Sequence, residues 1–143
     1  MCLNFLDKCF EKYRDTGLLI LRLGIGAMFA WHGWPKITGG PEFWGKIGMA
    51  TGSVGIHFAP VFFGFMAAAA EFGGGICLIL GLSTRLACVF LTINMIVAAA
   101  MHLGKGDGLA VASHAIEAGI LFFSLILIGA GRYSLDEKFK AKK

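Results

Sequence analysis

A chain of 143 residues has the length of one domain, but 57% of its residues are hydrophobic and its mean hydropathy is +0.73, more than one soluble core of that size calls for. Charged residues make up only 15% and gather at the ends and in a few joints, leaving apolar stretches long enough to cross a hydrocarbon core that needs about 20 residues. The net charge of +4 comes mainly from Arg132, Lys138, Lys140, Lys142 and Lys143, a segment too short for a nucleic-acid groove and better suited to anionic lipid head groups.

In chain order, residues 1 to 15 place Leu3, Leu6, Phe10 and Tyr13 at helical spacing opposite Lys8, Glu11, Lys12 and Asp15, which predicts a short helix lying in the membrane interface. The first sixteen residues are half polar and lead into an apolar run without a small-residue cleavage site, so the first span is expected to be its own insertion signal. That span runs from about Gly17 to Trp34 and is expected to close at Pro35, with Trp31 and Trp34 as head-group anchors. Residues 36 to 57 are glycine-rich and hold Phe43, Trp44 and Ile47; they read as a loop with one re-entrant or surface-lying turn of helix, the place for a lid. A second span covers about Phe58 to Leu80, and Gly81-Leu82-Ser83-Thr84-Arg85 turns tightly into a third, about 85 to 103. A fourth runs from about Leu109 to Ala130 before Gly131 and the basic tail. The expected fold is an all-α integral membrane protein: one domain, 1 to 143, built as a four-helix up-down bundle with short turns.

Leaving out Arg22, which lies inside the first span, nine Lys and Arg fall on one side (Lys8, Lys12, Arg14, Arg85, Arg132, Lys138, Lys140, Lys142 and Lys143). Only Lys36, Lys46 and Lys105 fall on the other. The positive-inside rule therefore puts both termini in the cytoplasm.

Ionisable groups within spans are costly and so point to function. Arg22 falls in the cytoplasmic half of the first span, Glu71 near the middle of the second, and His32, His102, His114 and Glu117 in the outer half. Glu71 shares a stripe with Gly64, Ala67, Ala68, Gly74 and Gly75 and should face neighbouring helices. The third span carries Arg85, Cys88, Thr92, Met95, Ala99 and His102 at a 3.5-residue repeat, an inward seam. On the fourth, Ser113, Glu117 and Ser124 share one face beside His114, three residues before Glu117. These seams are expected to line a polar interior.

Each group also has a plainer reading. Glu71 serves as a structural carboxylate if paired with Arg22 or Lys36. His32 and His102, near helix ends, serve as interfacial hydrogen bonders as well as they serve as ligands or proton carriers. His114 with Glu117 matches the spacing of metal sites within bundles, but no complete ligand set is visible, and no metal is expected. Arg85 reads as a topology anchor beside the head groups. Cys2, Cys9, Cys77 and Cys88 contain no C-x-x-C pair; Cys77 and Cys88 fall at similar depth on adjacent helices, as a distant pair or as two small hydrophobes.

The pattern Arg22-Leu23-x-x-Gly26, His32-Gly33-x-x-Lys36, Glu71-Phe72-Gly73-Gly74-Gly75, Gly81-Leu82-Ser83-Thr84-Arg85, then His102 and Gly131-Arg132-Tyr133-Ser134-Leu135-Asp136 resembles the DoxX family over almost the whole chain. The resemblance implies a small four-helix bundle of the bacterial cytoplasmic membrane, with links in some members to quinone-coupled oxidation of reduced sulfur compounds or to thiol and oxidative-stress systems. It also implies that Arg22, Lys36, Glu71, Arg85 and His102 are the positions that matter.

The leading expectation is a redox-associated membrane subunit. A pocket of His32, Glu71, His102, His114 and Glu117 would hold a quinone head group or small sulfur species, Glu71, His102, His114 and Glu117 would handle protons, and His32, Arg22, Lys36 and Arg85 would bind. Electrons must come from a partner, because no haem, flavin or iron-sulfur motif is present. The expected partners are the bilayer and other redox proteins or further copies of the chain. The alternatives are a non-catalytic assembly subunit and a small-solute carrier.

Overall fold

The computed structural model describes residues 13–141; the expected interfacial helix over 1 to 15 falls almost wholly outside the described residues. Within them the chain forms α1 (Arg14–Thr38), α2 (Gly40–Gly48), a 3-10 turn (Met49–Val54), α3 (Pro60–Leu80), α4 (Thr84–Lys105), α5 (Leu109–Ile128) and α6 (Leu135–Lys140), with no strand. Four of these, α1, α3, α4 and α5, are long and apolar enough to cross a membrane, as the hydropathy pattern requires.

The bundle runs up and down, so both ends of the described chain meet at one end of it, where the Arg132 backbone N–H donates to the Asp15 carboxylate at 3.0 Å. That end carries Arg14, Arg85, Arg132, Lys138 and Lys140 and is called the basic end; the other, beneath α2 and the 3-10 turn, is the loop end. α3 packs on both α1 and α4, α4 packs on α5, and α5 closes the ring onto α1 through the edge-to-face contact of Phe29 with Phe122, 4.7 Å between ring centroids. The core is a column of Leu78, Cys88, Leu91, Met95, Phe122 and Leu125 around Phe29.

Two helix contacts are backbone against backbone. A Cβ on Gly33 would lie 2.3 Å from the Phe72 nitrogen, and one on Gly75 2.5 Å from the Ala30 nitrogen, so α1 and α3 each set a glycine against the other's backbone. A Cβ on Gly48 would lie 1.7 Å from the Pro60 carbonyl oxygen, and one on Gly64 1.7 Å from that of Trp44, which locks α2 against the start of α3. The expected loop turn is therefore a two-part helical cover held by interlocked glycines.

The first span differs from expectation at its end. Pro35 lies inside α1, which continues to Thr38. Proline removes one donor and crowds the preceding turn, but two side chains hold the next turn: the Thr38 hydroxyl of α1 itself donates to the Trp34 carbonyl at 2.8 Å, and from α2 the Trp44 indole N–H donates to the Lys36 carbonyl at 2.8 Å. The extra turn carries Lys36 over the bundle interior. The tail also departs from a plain basic segment, because Ser134 caps α6 by accepting from the Glu137 backbone N–H at 3.2 Å.

Candidate functional site

Beneath the α2 cover lies a cavity of about 370 Å³ between α3 and α4. Its walls are apolar, with Phe63, Met66, Ala67 and Ala70 on α3 and Phe90, Ile93, Val97 and Met101 on α4, and its polar groups are Lys36, Glu71, Asn94, Thr51, Lys46 and His102. A few polar groups converging in an apolar hollow is the usual form of a small-molecule site.

The polar floor is a three-residue unit. Glu71 is 4% exposed, and the Lys36 ammonium donates to both of its carboxylate oxygens at 2.6 Å, while the Asn94 amide donates to Oε1 at 2.9 Å. Each element supplies one part: the turn of α1 beyond Pro35 brings the cation, the small-residue stripe of α3 brings the acid, and α4 brings the amide. Glu71 thus faces inward as its stripe predicts, and its ion-pair partner is Lys36, not Arg22. Asn94 escaped the sequence reading because it is uncharged, yet a lone amide between Ile93 and Met95 in an apolar span was the available signal. At the rim, His102 Nδ1 lies 2.8 Å from the Asp107 carboxylate, with about a third of each side chain exposed. Asp107, also unflagged by the sequence, orients that ring.

Met66, Phe90 and Ile93 border the cavity and are exposed on the outer surface of α3 and α4, so its mouth opens sideways toward lipid. Met66, Ala70 and Phe90 also line an apolar groove of about 260 Å³ that continues along the α3–α4 seam past Gly74 and Ala87 to Cys77 and Ser83. A polar-floored chamber thus runs into an apolar trough. Cys77 borders the trough while Cys88 is in the core, and both are free thiols; the hairpin does not join them.

Other expected site residues lie elsewhere. Arg22 is fully buried and donates to the Leu78 carbonyl at 3.1 Å and to the Tyr133 carbonyl, tying α1 to the end of α3 and to the tail. Glu71 lies two helical turns from Leu78, about 10 Å along the axis, so Arg22 cannot reach it. Asp136 of the tail accepts from the Ser83 and Thr84 backbone N–H groups at 2.6 and 2.9 Å, capping α4 from outside. Arg85 is exposed and reaches the Leu127 carbonyl at 3.5 Å. The motifs around Gly81 and Gly131 therefore build the basic end of the bundle, far from the cavity.

His32, His114 and Glu117 are exposed on the outer surface where α1 meets α5, which corrects the expectation that they line the interior. The buried stripe of α5 is Ala112, Ala115, Ala118, Phe122 and Leu125, and Glu117 lies about 100° around the helix from Ala118. Ser113 and Ser124 satisfy their hydroxyls on the Ala110 and Ile120 carbonyls of their own helix, so their face needs no polar neighbour. The His32 and His114 rings meet at 6.3 Å between centroids. Among the described residues no group of three or more His, Cys, Asp or Glu side chains could hold a metal ion.

The sequence profile of the DoxX family matches residues 17–104, a stretch containing the whole Lys36, Glu71, Asn94 and His102 set. An uncharacterised protein of Haemophilus influenzae is 37% identical, the match covering 92% of this chain and 97% of that protein. The inner membrane protein YqjF of Escherichia coli is 27% identical over 92% of this chain and 98% of its own length. No solved structure matches the chain.

Proposed function

The chain belongs to the DoxX family, and on that premise we propose that it is an inner-membrane subunit of redox metabolism that holds a lipid-borne quinone, with its head group on the Lys36–Glu71–Asn94 floor and its tail along the α3–α4 trough. The observation that carries this reading is the join between the two spaces: an amphiphile with a polar head and an apolar chain matches both, whereas a water-soluble solute has no use for the trough. The YqjF relative is named an inner membrane protein, which supports a place in the bacterial cytoplasmic membrane.

A quinone supplies two-electron chemistry when bound, and the electrons would come from a partner protein. The chain's own residues supply the setting. The Lys36 ammonium and Asn94 amide are donors placed to orient a carbonyl oxygen, Glu71 is the group that accepts or returns a proton at the floor, and His102, held by Asp107, is the imidazole at the cavity rim. The apolar walls and the α2 cover exclude bulk water, which strengthens each of these contacts.

Protein purified in nanodiscs from native membranes should retain a quinone detectable by mass spectrometry, and Glu71→Gln or Lys36→Met should lose most of it while keeping the fold. An empty cavity together with a stably attached protein would instead favour an assembly subunit. That second reading has one specific support: the hydrogen bonds of Arg22 and the Asp136 carboxylate lock the basic end.

A further inference from the structure

We propose that the outer face shared by α1 and α5 is the interface of a homodimer, in which Glu117 of each copy meets the His114 and His32 imidazoles of the other across a two-fold axis along the membrane normal. Glu117 is exposed on a membrane-spanning helix and makes no hydrogen bond or ion pair among the described residues. It stands eight residues into the 20-residue α5, about 12 Å along a helix about 30 Å long, which is close to mid-bilayer. A carboxylate facing hydrocarbon at that depth costs several kcal/mol, whether as a charge left unpaired or as a proton taken up without a partner. Such groups are ordinarily covered by protein.

The chemistry of the patch selects the occupant. It holds an acid and two bases: His114 one helical turn from Glu117 toward the loop end, and His32 with its ring against that of His114. A two-fold axis along the membrane normal keeps each residue at its own depth, so Glu117 of one copy faces a surface whose imidazoles lie about 4.5 Å higher, a step that extended side chains bridge. A patch with both members of the pair is complementary to itself, which is the requirement of an isologous interface. A different protein would have to bring its own matching set, and lipid chains offer no hydrogen bonds. The flank of α1 permits the approach, since a Cβ built on Gly17 or Gly24 meets nothing within 4 Å, and small residues on a lipid-facing helix allow close contact.

The test is subunit counting by single-molecule photobleaching in liposomes over a protein-to-lipid dilution series. Wild type should give two-step traces, and Glu117→Leu should shift the monomer–dimer midpoint about tenfold toward monomer, the size expected when both symmetry-related interhelical polar contacts are lost. His114→Glu alone places acids opposite acids and should also give monomers, whereas the exchange Glu117→His with His114→Glu should restore the dimer. The exchange keeps the test decisive if the leucine variant fails to fold. Wild type that is monomeric throughout, single variants as dimeric as wild type, or native mass spectrometry showing a lipid or another protein on this face would each overturn the proposal.

Discussion

Lys36 and Glu71 show how much one side chain can depend on another at a buried position. The Glu71 side chain is 5% exposed and that of Lys36 32%, so removing the lysine strands a carboxylate that has only the Asn94 amide left. Lys36→Met should destabilise the bundle by about 3 kcal/mol, near the lower end of the range for breaking a buried pair because the lysine is only partly buried. Adding Glu71→Gln to that variant should return most of the loss, since a neutral amide needs no counter-charge. Unfolding by SDS titration of the four proteins of this double-mutant cycle measures the coupling; two independent, additive losses would show that the pair does not act as a unit. Glu71 was legible in the sequence because its neighbours at helical spacing are glycine and alanine. Its partner was open between two cations, and the choice rests on the helix continuing past Pro35, which local propensity argues against and the Trp44 indole makes possible.

At the scale of elements, the interlock of α2 with α3 replaces the lid that a glycine-rich connection suggests. Gly64→Ala would put a methyl group on the Trp44 carbonyl and should cost about 1–3 kcal/mol by overpacking, with α2 lifted away from the cavity. In a Trp31→Phe, Trp34→Phe background the emission of the remaining Trp44 should then move to the red as its indole leaves the Lys36 carbonyl. An unchanged spectrum would mean that the cover stays seated. The glycines in 36 to 57 were visible as punctuation, and their use as contact surface was not, because a contact between Gly48 and Pro60 depends on where two elements cross. The misplacement of His114 and Glu117 has a different origin. On α5 the polar face points outward, and the periodic alanine stripe marks the true inner face.

For the molecule as a whole, the four spans followed directly from apolar length and were the most legible part of the fold. Orientation is a proposal of the same kind: a reporter enzyme that folds only outside the cytoplasm, fused after Lys143, should be inactive, and one inserted between Val54 and His57 should be active. The reverse result would invert the bundle. The candidate site was legible by halves. Glu71, Lys36 and His102 meet in one cavity between α3 and α4, whereas His32, His114 and Glu117, expected in the same pocket, stay outside it because α5 presents alanine and phenylalanine to the core.

The sideways mouth at Met66, Phe90 and Ile93, under a cover fixed by interlocked backbones, would set the concentration scale for the proposed quinone. A ligand arriving through that opening has already partitioned into the bilayer, so occupancy follows its mole fraction among lipids and not its concentration in either aqueous compartment. Diluting the membrane with inert lipid should empty the site while diluting the suspension with buffer leaves it filled, and the protein would in this sense report on the composition of a two-dimensional solvent.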